Sequence, residues 1–441
     1  MSRSIVYDGL NLALKSGTGI ATYTRGLFQI ARTIGFRTDL LHSIAGRVPK
    51  NAMLREIVLF DDDSNRRLST RKRLRRWMLR QIGAPMGLKP ASVKLNGMVV
   101  AKSFNTHLAE AGCVHVVEDL FGRAHNHFRR FQSPLKLKLG GSPDILHCTY
   151  PMPIVAKNAP TIYTVHDLVP LKLPYLSEDD KRLYYRMMRS IASKADHIVT
   201  VSETSRQDIV RFLGVDEKRV TNTYQSVAVP QSLREKPSDR VAEEIEGAFD
   251  LEYNGYFLFF GALEPKKNVM RLIEAYLSAN VDLPLVIVGA QGWRSDTERE
   301  VLKDDRFGFY QRSKDRIRYR RQVRRFDYVS YPLLVSLIRG ARAVVFPSLY
   351  EGFGLPVLEA MQLGTPVISS TEGSIPEIAG EAAMLVDPYD TASLSQAIRA
   401  LAQDADLRTQ LAEAGPHQAA KFSPKRYRDA VSALYDNVLD G

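Results

Sequence analysis

The chain has 441 residues, with 44% apolar and 25% charged side chains and a net charge of +12 from 61 Lys and Arg against 49 Asp and Glu. These values exclude a disordered or collagen-like chain and leave room for two or three domains with full cores. Two cysteines, Cys113 and Cys148, are too few for a disulfide framework, and the positive excess points to an acidic partner such as a nucleoside diphosphate, an anionic membrane surface or nucleic acid.

Ile5-Val6-Tyr7 reads as a first strand. A loop, Gly17-Thr18-Gly19, and a helix over 24–33 follow it. The N-terminus carries no long apolar core and no cleavage pattern, so a signal peptide is not expected. No apolar run approaches the ~20 residues of a membrane span. The expected location is the cytoplasm, with the inner face of the membrane as the one membrane site open to it. Asp61-Asp62-Asp63 precedes eight basic residues between Arg66 and Arg80, among which Leu74, Trp77, Met78 and Ile82 recur at helical spacing. The basic region, about 64–140, fits two readings: a helix on an anionic membrane surface, or one packed on its own domain with solvated charges. Cys113, His115, His125 and His127 match no zinc spacing, so no metal is expected.

Further strands are read at 145–147 and 161–165, a helix at 181–194, and a strand at 197–201 ending on Ser202, a residue suited to cap the next helix. The polar stretch 231–254 reads as a connection, with a helix at 241–249 as one option inside it. Strands then recur at 256–260, 285–288, 343–346 and 366–368, separated by helices near 269–278, 331–339 and 356–363. This alternation predicts α/β architecture: two Rossmann-like domains, 1–230 and 255–420, facing across a cleft, with a last helix within 421–441 that can return to the first.

The densest signal is 346–366, where Glu351 and Glu359 flank Gly352-Phe353-Gly354 and Pro356. A strand, a glycine turn and a helix N-terminus form an anion site, because amides converge there and the helix dipole favours negative charge. Carboxylates repel phosphate, so these two fit hydroxyls, and a ligand with both phosphates and sugar hydroxyls satisfies the set. Glu359 is expected in the first turn of a helix starting at Pro356. Alone, it could merely complement the dipole, with Glu351 a solvated loop charge; the glycines between them and Lys267 upstream favour a ligand. Lys266 and Lys267 follow the strand 256–260 in a loop closed by Pro265, suited to hold a departing diphosphate.

The segment Gly352 to Pro366, the loop Glu264-Pro265-Lys266-Lys267-Asn268 and the run Val165-His166-Asp167-Leu168-Val169-Pro170 occur in one order. Together they resemble the retaining, nucleotide-sugar-dependent glycosyltransferases of family 4, whose fold is GT-B, and its mannosyltransferase-like members in particular. Gly289 to Trp293, Val201-Ser202-Glu203 and Pro376-Glu377 add to the likeness. The resemblance implies catalytic roles for His166, Lys267 and Glu351. It implies donor contacts for Gly17, Thr18, Gly19, Ser202, Val329, Gly352, Phe353, Gly354, Leu355 and Glu359, the last at the ribose; Lys266 joins them by inference, as a substitute for an arginine of the family. The implied co-substrate is a nucleoside diphosphate sugar, GDP-mannose favoured and UDP- or dTDP-linked sugars open, with no further cofactor. The implied acceptor is a glycan or lipid-linked glycan of a surface polysaccharide. One departure stands out: Ala262 occupies the position where the family often has arginine. That departure keeps open a catalytically silent nucleotide-binding or scaffold subunit. Nucleic acid is not an expected partner, because the basic runs lack interleaved aromatics.

Overall fold

The computed structural model describes residues 3–12, 19–44, 48–60, 87–97, 99, 108, 110–177, 180–290, 308–313 and 316–440. Gly17, Thr18, the basic run 66–80 and 291–293 lie outside them. The chain forms two compact units, Met1–Val201 with Ser205–Thr223 and Tyr427–Gly441, and Ser202–Thr204 with Tyr224–Arg426.

The first unit contains β1 (Ser4–Asp8), β2 (Arg37–Ile44), β3 (Ala91–Val93), β4 (Val114–Glu118), β5 (Leu135–Leu137), β6 (Ile145–Cys148), β7 (Ile154–Ala156), β8 (Thr161–Thr164), β9 (His197–Thr200) and β10 (Val220–Asn222). Eight of these form one sheet in the order β10-β9-β8-β6-β1-β2-β4-β3. All its pairs are parallel except β3 with β4. Strand order reverses between β1 and β6, the doubly wound arrangement in which ligands meet the carboxyl ends of the strands.

The last helix, Pro424–Asp440, buries Tyr427, Val431, Leu434 and Tyr435. Tyr435 joins a polar chain inside the first unit. Its hydroxyl lies 2.7 Å from that of Tyr7 and 2.9 Å from His147 Nδ1, and His147 Nε2 lies 2.8 Å from Thr164 Oγ1. Burial first, and the nearby histidines His166 and His197 second, hold the His147 pKa down to about 3, so its ring is neutral and offers one donor and one acceptor.

The second unit contains β11 (Phe257–Phe260), β12 (Leu285–Val288), β13 (Gly308–Ser313), β14 (Arg316–Arg321), β15 (Val323–Phe326), β16 (Ala343–Phe346), β17 (Val367–Ser370) and β18 (Met384–Val386). Six of them form a sheet ordered β15-β12-β11-β16-β17-β18, parallel throughout. β11, β12 and β16 are buried along their whole length, as strands covered on both faces must be. The reversal falls between β11 and β16.

One expectation changes here. The stretch 231–254, read as a connection with a helix at 241–249 as one option, lies in the second unit; the helix is present as Ser238–Phe249, whose Val241, Ile245 and Phe249 form a buried stripe. Lys236 bridges to Glu244 at 2.8 Å, and Ser336 Oγ donates to Glu244 at 2.6 Å, tying it to the helix Tyr331–Arg339. The basic run 312–325 contributes to the antiparallel pair β13–β14 and to the sheet strand β15.

Replacing Tyr435 by Phe removes a hydroxyl that both Tyr7 and His147 use, and leaves buried groups unpaired. The expected cost in urea unfolding is about 1–3 kcal/mol with the m-value unchanged; a cost near zero would mean that the two neighbours repair without it.

Candidate donor site at the reversal of the second sheet

Two loops leave the reversal point. After β11 the chain passes Gly261 (φ +136°), makes a single turn of 3-10 helix at Pro265–Lys267, and enters the helix Val269–Ala279 through Asn268 (φ +60°). Asparagine tolerates this left-handed position, and its amide donates to the carbonyls of Pro347 at 3.1 Å and Pro388 at 2.7 Å. After β16 the chain runs through Pro347–Phe353 to Gly354 (φ +105°), which starts the helix Leu355–Gln362. The left-handed conformation of Gly354 favours glycine, and a Cβ there would press on the end of the Ile375 side chain, 2.6 Å from Cδ1. Leu349 N–H donates to Lys266 O at 2.8 Å and holds the two loops together.

That tie brings Lys267 and Glu351 into contact. Lys267 Nζ donates to Glu351 Oε1 at 2.5 Å, with side chains only 13% and 8% exposed, and sits 4.8 Å from the centre of the Phe346 ring. The backbone of Glu351 is fixed in turn: its carbonyl accepts from Ser374 N–H at 3.2 Å, while Ser374 Oγ lies 3.0 Å from that carbonyl and 2.7 Å from Phe353 O. Gly352, Phe353 and Gly354 are buried beside it.

Glu359 departs from expectation. The helix begins at Leu355, one residue before Pro356, so Pro356 takes its second position and Glu359 its fifth, beyond the first turn. Dipole complementation therefore does not account for it. The side chain keeps some exposed surface, yet crowding by protein atoms is enough that burial pushes its pKa up to about 7. Tyr331 is its neighbour; its phenol is pushed up to about 12 by burial first and by the Glu359 charge second.

The remaining candidates are spread more widely. Lys266 is half-buried in the loop after β11. Ala262 in that loop is exposed and offers only a methyl group. Val329 lies just beyond β15, at another carboxyl end of the second sheet, half-buried beside the exposed Tyr328. Ser202 is fully buried directly before the helix Glu203–Leu213. His166 and Gly19 belong to the first unit: Gly19 is the exposed first residue of the helix Gly19–Thr33, and His166 follows β8 with Nε2 3.2 Å from Thr149 O. His115, weighed as a metal ligand, instead lies 3.3 Å from Ser92 Oγ, and His127 packs on Phe131. Phe346, Asn268, Ser374, Tyr331 and Thr149 were not singled out from the sequence. Only Asn268 carried a local sign, as an asparagine between a proline-led turn and an apolar helix.

Breaking the pair from one side leaves a buried charge unpartnered. Lys267→Met is expected to cost about 3 kcal/mol in urea unfolding, and the double variant Lys267→Met/Glu351→Gln clearly less than the sum of the singles; additive costs would mean the pair is not coupled. Glu359 predicts a pH dependence. Its folded pKa of about 7 lies above the ordinary value of 4.5, so the folded state holds the proton longer than the unfolded chain. The stabilisation is complete below about 4.5 and lost as pH rises through about 7. Unfolding across that range should fall less steeply in Glu359→Gln than in the wild type; parallel slopes would place its pKa in the ordinary range.

Comparison with known proteins follows this geometry. The family model described as "Glycosyltransferase Family 4" matches residues 98–227, and "Glycosyl transferases group 1" matches 243–418. O-antigen chain mannosyltransferase B of Escherichia coli is 31% identical over 271 residues, covering 59% of this chain and 66% of that protein. Serotype-specific mannosyltransferase WbdA of Escherichia coli is 27% identical over 282 residues, covering 62% of this chain and 33% of that protein. The aligned stretch thus spans just under two thirds of the first relative and a third of the second. Sucrose-phosphate synthase from Thermosynechococcus elongatus superposes with a TM-score of 0.64 at 17% identity, over 99% of this chain and 98% of that one, a likeness of fold. With both family models matched in order along two doubly wound units, the chain belongs to the family 4 glycosyltransferases of GT-B fold, with mannosyltransferases among its relatives.

Proposed function

We propose that this protein transfers a hexose, mannose favoured, from a nucleoside diphosphate sugar to a hydroxyl of a glycan or lipid-linked glycan in surface polysaccharide assembly. The observation that carries this reading is the pairing of Lys267 with Glu351 beside the left-handed Gly354, at the reversal of the second sheet. O-antigen mannosyltransferases among its relatives support the hexose and the acceptor class. GDP-mannose as donor, retention of configuration and independence from metal rest on the family resemblance.

In this reading the diphosphate lies against the amides of Gly352–Leu355 and the start of the helix Leu355–Gln362, with Lys266 and Lys267 meeting the charge that develops as the bond to the sugar breaks. Lys267 has three N–H donors, so it can serve Glu351 and a phosphate oxygen together. Glu351 then orients the sugar from a fixed position. Glu359 takes the ribose hydroxyls; their hydrogen bonds favour the ionised carboxylate, so nucleotide binding should release a proton near pH 7. His166 contacts the transferred sugar. The leaving phosphate oxygen accepts the acceptor proton, so no protein base is needed. Docking at the inner membrane face belongs to this proposal; Met53, Leu54 and Ile57, exposed on the helix Ala52–Phe60 that precedes the basic run in sequence, support it.

The test uses the purified full chain with a panel of nucleotide sugars and lipid-linked glycan acceptors. Expected are release of one nucleoside diphosphate, a product with the donor's anomeric configuration, and turnover reduced about a hundredfold in Glu351→Ala. No transfer, together with no thermal stabilisation by any nucleoside diphosphate, would overturn the proposal. Unchanged glycan output in cells carrying Glu351→Ala, with the protein still required, would favour the scaffold alternative.

A further inference from the structure

Lys267 stands between two anchored residues. Before it, the carbonyl of Lys266 accepts from Leu349 N–H at 2.8 Å. After it, Asn268 is 8% exposed and takes a left-handed φ of +60°. Its side-chain amide donates to Pro347 O at 3.1 Å and to Pro388 O at 2.7 Å, and its Oδ1 accepts from Arg271 Nη1 at 3.0 Å. The same Arg271 nitrogen donates to Pro388 O at 3.0 Å. Only one orientation of the amide fits, because the two carbonyls take donors and the guanidinium takes an acceptor.

These bonds span three loops. Asn268 closes the loop after β11, Pro347 opens the one after β16, and Pro388 lies in the one after β18. The third loop is fixed in its own right. Tyr389 N–H donates to Asp387 Oδ1 at 2.8 Å and Asp390 N–H to Asp387 O at 3.1 Å, while Asp390 Oδ1 caps the helix Thr391–Gln403 by accepting from Ala392 N–H at 2.9 Å. Pro347 directly follows Phe346, whose ring centre lies 4.8 Å from Lys267 Nζ, and its loop leads on to Glu351. The Asn268 amide therefore sets how the backbone of Lys267 stands to both groups that its ammonium meets.

We infer that Asn268 is a positioning residue for Lys267: by clamping three loops it fixes the lysine backbone, so that the ammonium meets Glu351 and, in turn, the departing diphosphate. The inference rests on the proposed role of Lys267 and adds what holds that lysine in place. Asparagine meets two demands at once, a left-handed backbone and two side-chain N–H donors. Glycine meets the first alone. Aspartate tolerates the same backbone and keeps an acceptor for Arg271, but turns an anion toward two carbonyls. Alanine meets neither demand, so its effect would mix backbone strain with loss of the clamp.

The experiment uses the purified full chain with GDP-mannose, or whichever nucleotide sugar of the panel the wild type turns over, and its lipid-linked glycan acceptor. Asn268→Gly is expected to lower kcat about tenfold or more, with donor KM changed less than about threefold, because a misplaced charge costs most where charge develops. In the Lys267→Met background the same substitution should cost kcat little more, since its effect runs through the lysine. Asn268→Asp should resemble Asn268→Gly and carries the test where the glycine variant does not fold. Urea unfolding reads the clamp without turnover: the non-additivity of Lys267→Met and Glu351→Gln should shrink by about half or more in Asn268→Gly. Folded variants that keep wild-type kcat, that keep the full non-additivity, or that lose kcat equally with and without Lys267 would overturn the inference. Failure of the functional reading looks different: the wild type itself would neither transfer sugar nor be stabilised by a nucleoside diphosphate, while the coupling of Lys267 with Glu351 would still respond to Asn268→Gly.

Discussion

The ion pair between Lys267 and Glu351 is the contact on which the second unit's site depends. Parallel strands β11 and β16 send their following helices to opposite sides of the sheet, so the two loops diverge unless something spans them. Backbone bonds from Leu349 to Lys266 and from Asn268 to Pro347 draw them together, and the charged pair fills the space between. Burying two charges costs desolvation that their attraction barely offsets, and two apolar residues would stabilise the fold at least as well. A buried pair at a strand-order reversal is better explained by chemistry than by stability. It keeps a carboxylate and an ammonium in fixed positions before any ligand arrives, which is the condition for electrostatic preorganisation.

The two units share one winding and differ in what they set at its reversal. In the second, the first strand leads to lysines and the fourth to a glycine turn. In the first, β1 ends on Asp8 and β6 leads to Thr149, with His166 following the next strand over. One unit therefore presents cations and amides, suited to phosphate. The other sets hydrogen-bonding side chains, Asp8, Thr149 and His166, at its own strand ends. The fold supplies the positions and the residues supply the division of labour.

Much of this was legible because buried parallel strands are short apolar runs: Phe257–Phe260, Leu285–Val288 and Ala343–Phe346 stand out without any partner in view. Strands escaped notice where they are only three residues long, as Ile154–Ala156 and Met384–Val386 are, or where they carry polar or charged letters. Arg37–Ile44 carries Asp39, which is buried, and Val323–Phe326 carries two arginines on an edge strand. The helix Ser238–Phe249 was legible as an option from 241 onward, because its buried residues recur every fourth position, while the acids and bases around it made the stretch read as a connection. In the site, the motif around Glu351 could be read locally, but its partner could not: Lys267 lies 84 positions away, and only the sheet order makes them neighbours. The contact of His166 with Thr149 has the same character, since the two residues follow different strands. The position of Glu359 turned on a single residue, because Gly354 starts the helix at Leu355 rather than Pro356.

If the proposed donor binds here, two carboxyl groups beside its diphosphate pose an electrostatic problem, and the structure treats the two differently. Glu351 is neutralised by an ammonium at 2.5 Å, so it adds little net negative charge while keeping an oxygen available for hydroxyls. Glu359 has its charge suppressed by burial instead, with a pKa raised to about 7, so that near neutral pH it ionises fully only when something rewards the charged form. Ribose hydroxyls would do so, because they donate to the anion. Phosphate alone would not, since a second anion raises the cost of ionisation. The helix amides and Lys266 are then left to set the field that a diphosphate meets. In the proposed donor site, one pair of like residues in a single motif would thus tolerate phosphate and favour phosphate joined to a sugar, a selectivity that follows from the ammonium partner of Glu351 and the burial of Glu359 rather than from the spacing of the two glutamates.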